Sequence, residues 1–117
     1  MPYALLIVEP RGQRAQRSAE QGEAVYARMV AFGNELKARG KLLAVESLKA
    51  DGEAARVTSR NGRRTVVDGP FSEAREMIGG FFLLDCASRD EALAIAAECP
   101  AAEWATVEVR ETGPCFL

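Results

Sequence analysis

Thr65-Val66-Val67-Asp68-Gly69-Pro70-Phe71 is the stretch on which the reading of this chain turns. A β-branched run enters it, and the polar segment Ser72-Glu73-Ala74-Arg75-Glu76 leaves it. Gly before Pro is driven toward extended backbone. Pro fixes its own φ and supplies no N–H. Asp readily accepts hydrogen bonds from backbone N–H groups just downstream. Together they predict a rigid corner, with Asp68 held at the end of a strand and Phe71 turned inward. Turn chemistry accounts for each of these residues. The functional alternative is a carboxylate presented at the mouth of a pocket.

Immediately upstream, residues 55–60 and 63–67 flank Asn61-Gly62. That dipeptide favours the type I′ turn whose twist matches a hairpin. A two-residue loop sets Arg60 opposite Arg63, Thr58 opposite Thr65 and Val57 opposite Val66. Arg56, Arg60, Arg63 and Arg64 make this hairpin basic. Solvated arginines that keep an exposed strand from aggregating explain the pattern; the sharper alternative is an anion clamp.

The rest of the chain surrounds this hairpin with two β-α-β units. Tyr3 to Val8 is a short apolar run that reads as a central strand. The segment from Gln13 to Arg17 is polar and predicts a loop. Ser18-Ala19-Glu20-Gln21 fits a helix-opening capping box, and Val25, Met29, Phe32 and Leu36 then recur at helical spacing. Gly40 suits the position just past that helix. Leu42 to Leu48 predicts the second strand, and Asp51-Gly52 a turn. The segment from Ser72 to Met77 predicts a helical turn or ordered loop, and Gly79-Gly80 a close backbone approach or unusual turn. Phe81-Phe82-Leu83-Leu84 is apolar on both faces and reads as a strand covered on both sides. Ser88-Arg89-Asp90-Glu91 opens a second helix, which Pro100 stops. Thr106 to Arg110 alternates and closes the set. This order predicts an α+β, ferredoxin-like sandwich with an inserted β-hairpin. One layer of helices leaves the other face of the sheet bare, and a second copy of the chain is the expected cover. The fold class is thus a dimeric α+β barrel.

Composition narrows the function. The chain has 117 residues and a net charge of −2, with 48% hydrophobic and 27% charged content. That suits one globular domain spanning residues 1–117. The weak negative charge argues against nucleic-acid binding driven by bulk electrostatics. No apolar run reaches the roughly 18 residues of a membrane span. Cys86, Cys99 and Cys115 form no CxxC pair, which points to reduced thiols and a cytoplasmic location. Cys86 and Cys99 read as core residues. There is no histidine, so a Ser-His or Cys-His nucleophile pair is ruled out, and no metal site or cofactor is expected.

The run Thr65 to Glu76, followed by Ile78-Gly79-Gly80-Phe81-Phe82-Leu83-Leu84-Asp85, resembles the core of the YciI-like (YCII-related) DGPF-domain family. Tyr3-Ala4-Leu5-Leu6-Ile7, Asp90-Glu91-Ala92-Leu93, Cys99-Pro100-Ala101-Ala102 and Val107-Glu108-Val109-Arg110 fit the same pattern. The resemblance implies ferredoxin-like subunits in a dimeric barrel. It also implies an aspartate–histidine dyad in which Asp68 matches the aspartate. Trp104 stands where the histidine is expected, and an indole offers one N–H donor and no base. Some relatives of this type act in small-molecule breakdown, and others accompany sigma-factor systems.

Two functional expectations follow. The first is a homodimer that binds a small metabolite near the Asp-Gly-Pro-Phe corner. In that site Asp68 is the acid/base candidate of a lyase or isomerase. Phe71, Phe82 and Trp104 are candidate apolar walls, and Arg64 or Arg110 would orient an anionic group. The second is a non-catalytic accessory or regulatory module. Glu9, at the end of the first strand, is expected to be solvated.

Overall fold

The computed structural model describes all residues 1–117. Strand β1 (Tyr3–Pro10) is followed by a short 3-10 turn at Arg14–Gln16 and by helix α1 (Ala19–Ala38). Strand β2 (Leu42–Ser47), the hairpin β3 (Ala55–Arg60) and β4 (Arg63–Asp68), and strand β5 (Glu76–Leu84) come next. Helix α2 (Arg89–Glu98), a 3-10 turn at Pro100–Glu103 and strand β6 (Thr106–Glu111) complete the chain. The fold is α+β, with two helices and a mostly antiparallel sheet. Four strands run in the order β2-β5-β1-β6, and β3-β4 forms a separate two-stranded ribbon.

Local chemistry sets the element ends as expected. The Ser18 hydroxyl accepts from the Gln21 N–H at 3.1 Å, and the Gln21 side chain accepts from the Ser18 N–H at 2.9 Å. Two N–H groups that the helix leaves unpaired are thereby satisfied. Gly40 closes α1 at φ +71°. The hairpin turns at Asn61 and Gly62 with φ of 52° and 76°, and Arg60 lies opposite Arg63, Thr58 opposite Thr65 and Val57 opposite Val66.

The core lies between the helices and one sheet face. Leu5, Ile7, Phe82 and Leu84 point into it, joined by Phe32 and Leu36 from α1 and Ile95 from α2. Phe32 and Phe82 meet edge to face, their centroids 5.3 Å apart, a geometry that the ring quadrupoles favour. The alternate residues Ala4, Leu6, Val8, Phe81 and Leu83 face away from the helices and stay half-buried. Leu6 sits opposite Phe81 and Ala4 opposite Leu83 on β1 and β5.

One sequence expectation is corrected. Strand β5 begins at Glu76, not Phe81, so Met77, Gly79 and Gly80 are strand residues. The sheet tolerates this through a bulge: Ile7 pairs with Gly80 and Val8 with Ile78, leaving Gly79 as the extra residue. The glycines there serve close approach. A Cβ on Gly79 would lie 1.7 Å from Glu9 Oε1, and one on Gly80 would lie 2.7 Å from the Glu46 carbonyl.

Gly69 is needed for space. A Cβ there would lie 1.8 Å from the Asp51 carbonyl oxygen, which is backbone and cannot swing aside. Gly22 has open space around it inside α1. Replacing Gly69 by Ala should therefore destabilise the protein by about 3 kcal/mol, whereas Gly22→Ala should stabilise it by about 1 kcal/mol. Urea unfolding of both variants checks the pair, and similar effects at the two sites would contradict it.

Candidate functional site

The corner at residues 68–71 is rigid, as expected, but a different carboxylate holds it. Asp51 Oδ2 accepts from Arg11 Nε at 2.5 Å and from the Phe71 N–H at 3.3 Å. Arg11 also donates to the Ala74 carbonyl at 3.2 Å, and the Gly69 N–H donates to the Ala54 carbonyl at 2.7 Å. Three distant segments are thus tied together: the end of β1, the turn before β3, and the loop after β4. Phe71 is buried, with the Arg56 guanidinium 3.7 Å above its ring. Arg56 in turn pairs with Glu73 at 2.9 Å. Asp68 is exposed at the root of the hairpin.

Glu9 is not solvated. It is only 6% exposed, because the period-two alternation of β1 places it on the inward face after Leu5 and Ile7. Arg14, from the 3-10 turn, supplies the counter-charge. Its Nη2 donates to Oε1 at 2.6 Å and its Nε to Oε2 at 3.0 Å, a bidentate pair. Arg14 Nη1 also donates to the Leu48 carbonyl at 2.9 Å. The missing side chain at Gly79 is what makes room for this pair.

The Glu9–Arg14 pair sits at one end of a groove of about 850 Å³ between α1 and strands β2 and β5. Val25, Met29, Val45 and Phe82 are among its apolar walls. At the same end lie Arg17, Ser18 and Trp104. The Arg17 and Arg28 guanidinium groups lie 5.8 and 5.4 Å from the Trp104 ring centroid. Gln13 Nε2 donates to the Trp104 carbonyl at 2.8 Å. The groove exists because α1 packs its Phe32–Leu36 end against the sheet, while Leu43 and Val45 on the edge strand β2 stay exposed. A volume of this size is in the range of small-molecule sites.

Of the candidates named from sequence, the structure brings Phe82 and Trp104 together in this groove. Phe71 lines a second, separate hollow with Val8, Met77 and Ile78. Asp68, Arg64 and Arg110 line neither. Arg110 projects from β6 on the sheet face away from the helices, opposite Ala4. Sequence reasoning missed Arg14 and Asp51 as organising residues and misjudged Glu9. The signal for Glu9 was present: a charge on the inward phase of an apolar strand. Cys86 and Cys99 are core residues, as expected. Burial pushes both thiols up, so neither is an activated nucleophile.

The fold is therefore α+β, with a largely apolar groove beside its first helix and Arg14 and Arg17 at one end of it. Residues 1–114 match the YCII-related domain, and the chain belongs to that family. It is also similar to an uncharacterised protein of Rhizobium meliloti (strain 1021), with 38% identity over 93 residues, covering 80% of this chain and 75% of that protein. No helix is long and apolar enough to cross a membrane.

Two predictions rest on these contacts. Glu9→Ala strands Arg14 beneath the groove and should cost about 2–3 kcal/mol, discounted because Arg14 is a third exposed. Adding Arg14→Met should recover part of that loss, and strictly additive effects in thermal unfolding would contradict the pairing. For Asp51, the hydrogen bond from Arg11 comes first in lowering its pKa; burial opposes it, and the Phe71 N–H adds to it. A lowered folded-state pKa stabilises above the unfolded value, about 3.9, and that contribution fades as pH falls through the folded value. The stability gap between the wild type and Asp51→Asn should therefore narrow as pH drops from 6 to about 3.

Proposed function

We propose that this chain is a homodimeric binding protein for a small metabolite with an apolar body and an acidic group. The observation that carries this reading is the groove beside α1, mostly apolar, with Arg14 and Arg17 at the end where α1 begins and Lys37 and Glu46 also among its lining residues. Arg17 has no carboxylate partner in the chain; its Nη2 donates to Gln13 at 3.2 Å. It stands beside the N-terminus of a 20-residue helix, whose dipole favours negative charge. An acidic group placed there gains both, while rings or alkyl groups pack along Val25, Met29 and Phe82.

The same reading favours binding over turnover. Glu9 has both oxygens occupied by Arg14 and presents no free base. Asp68 has no histidine to pair with, since the chain contains none. A reaction using Asp68 as acid/base, in the manner of a lyase or isomerase, needs further walls and groups around that carboxylate.

Dimerisation is supported by the face of the sheet that the helices leave bare. Leu6, Val8, Phe81 and Leu83 form an apolar strip along the two central strands. Packing two ferredoxin-like subunits through that strip gives a dimeric α+β barrel. Three unpaired cysteines, two of them buried, fit a reducing cytoplasm.

Trp104 is the chain's one tryptophan, so its fluorescence reports on the cationic end of the groove. Titration with aromatic and branched carboxylates should shift that emission saturably. Arg17→Gln should weaken the response about tenfold or more, while Arg64→Gln leaves it unchanged. A set of such acids that gives no saturable shift, or an Arg17→Gln response equal to the wild type, would reject this reading.

A further inference from the structure

The hairpin β3-β4 has no third strand beside it, and of its side chains Arg56, at the root, meets Phe71 and Glu73 of the same chain. Every residue from Ala55 to Asp68 is exposed except for the two strands' pairing with each other. It extends the molecule: the radius of gyration is 16.0 Å, against about 13 Å for a compact domain of this size. The extents are 46 × 42 × 19 Å, so the ribbon runs out beside the two layers and does not rise over them. A lone two-stranded hairpin is marginally stable in water.

Its two faces differ. Cross-strand pairing places Ala55, Val57, Val66 and Asp68 on one face with Ser59 and Arg64. Val57 and Val66 are 63% and 59% exposed there. The opposite face carries Arg56, Arg60 and Arg63. Arg60, Arg63 and Arg64 form no ion pair within the chain. With four arginines and one aspartate the ribbon has a net charge of +3, which leaves the rest of the chain at −5 of its total of −2. Carboxylates flank the bare sheet face on both edge strands: Glu46 on β2 lies opposite Phe81, and Glu108 on β6 lies opposite Leu6.

We infer that the β3-β4 ribbon is an exchange arm. In the dimer proposed above, on which this inference rests, each arm lies across the partner subunit at the rim of its sheet. Its Val57–Val66 face is buried there, and Arg64, on that same face, meets a carboxylate of the rim, Glu46 or Glu108. The occupant of this surface is a second copy of the chain, because the arm's charge complements the body's and, beyond Arg56 at the root, the arm stands exposed from its own body. Asp68 shares the docking face. A pocket around Asp68 is therefore composite: one subunit supplies the carboxylate at the arm's root, and the other supplies the walls that a single chain lacks.

Hydrogen exchange of residues 55–68, read alongside sedimentation velocity over a range of protein concentrations, tests this without a variant. The expected result is a dimer whose arm amides gain protection, tenfold or more, as the dimer forms. Arg64→Glu should raise the dimer dissociation constant at least tenfold, and adding Glu46→Lys/Glu108→Lys should restore much of it. A dimer whose arm amides exchange as freely as in dilute protein would overturn the arm and leave the dimer standing. A protein that stays monomeric at about 100 µM would overturn both.

Discussion

The two central strands are apolar on both sides, and the chain owns only one layer of helices. β1 and β5 send Leu5, Ile7, Phe82 and Leu84 into the core and present Leu6, Val8, Phe81 and Leu83 to the other side. Everything else accommodates that arrangement. The flanking strands β2 and β6 are shorter and more polar, and they carry Glu46, Glu108 and Arg110 on the bare side. Helix α1 packs firmly only at its C-terminal half, so its first turns stand off from β2 and open the groove. Burial of a large apolar side chain is worth about 1.5–3 kcal/mol relative to exposure. Four such residues left half-covered are a strong incentive to associate.

The Arg11–Asp51–Phe71 knot is what aims the hairpin. Without it, residues 48–54 and 69–75 would be two unrelated loops at the end of the sheet. Asp51 joins them through one carboxylate oxygen, and Gly69 lets the two backbones touch. The motif aspartate, Asp68, is thereby freed from the turn and left at the root of the ribbon. Asp51 spends its acceptor on the corner; Asp68 spends none there.

This division also marks how far the sequence could be read. The capping box at Ser18, the stop at Gly40, the Asn61-Gly62 turn and its register all come from interactions spanning four residues or fewer. Such signals are legible because the partners lie within one turn of each other. The α+β class followed from their order. Asp51 and Phe71 are 20 residues apart, and Arg11 and Asp51 are 40 apart. Nothing local distinguishes Asp51 from an ordinary turn aspartate, so its role went to the nearer Asp68. Glu9 was legible in principle. Its phase on β1 is inward, and only the counter-charge, five residues on and across a Pro-Arg-Gly turn, was hidden.

The chemistry available to one chain is limited by how its charges are already committed. Arg14 holds Glu9, Arg11 holds Asp51, and Arg56 covers Phe71 and holds Glu73. Burial leaves the two core thiols protonated. Among the groups without an ion-pair partner in the chain are Arg17 at the groove, Arg60, Arg63 and Arg64 on the hairpin, and the carboxylate Asp68 at its root. An uncommitted cation beside an apolar groove selects an anionic ligand and does not by itself move protons. An uncommitted carboxylate becomes a base only when apolar walls enclose it. The groove is already walled within one subunit, whereas Asp68 is not. On the reading proposed above, binding would draw on the groove of a single chain, and proton chemistry at Asp68 would need walls from a second.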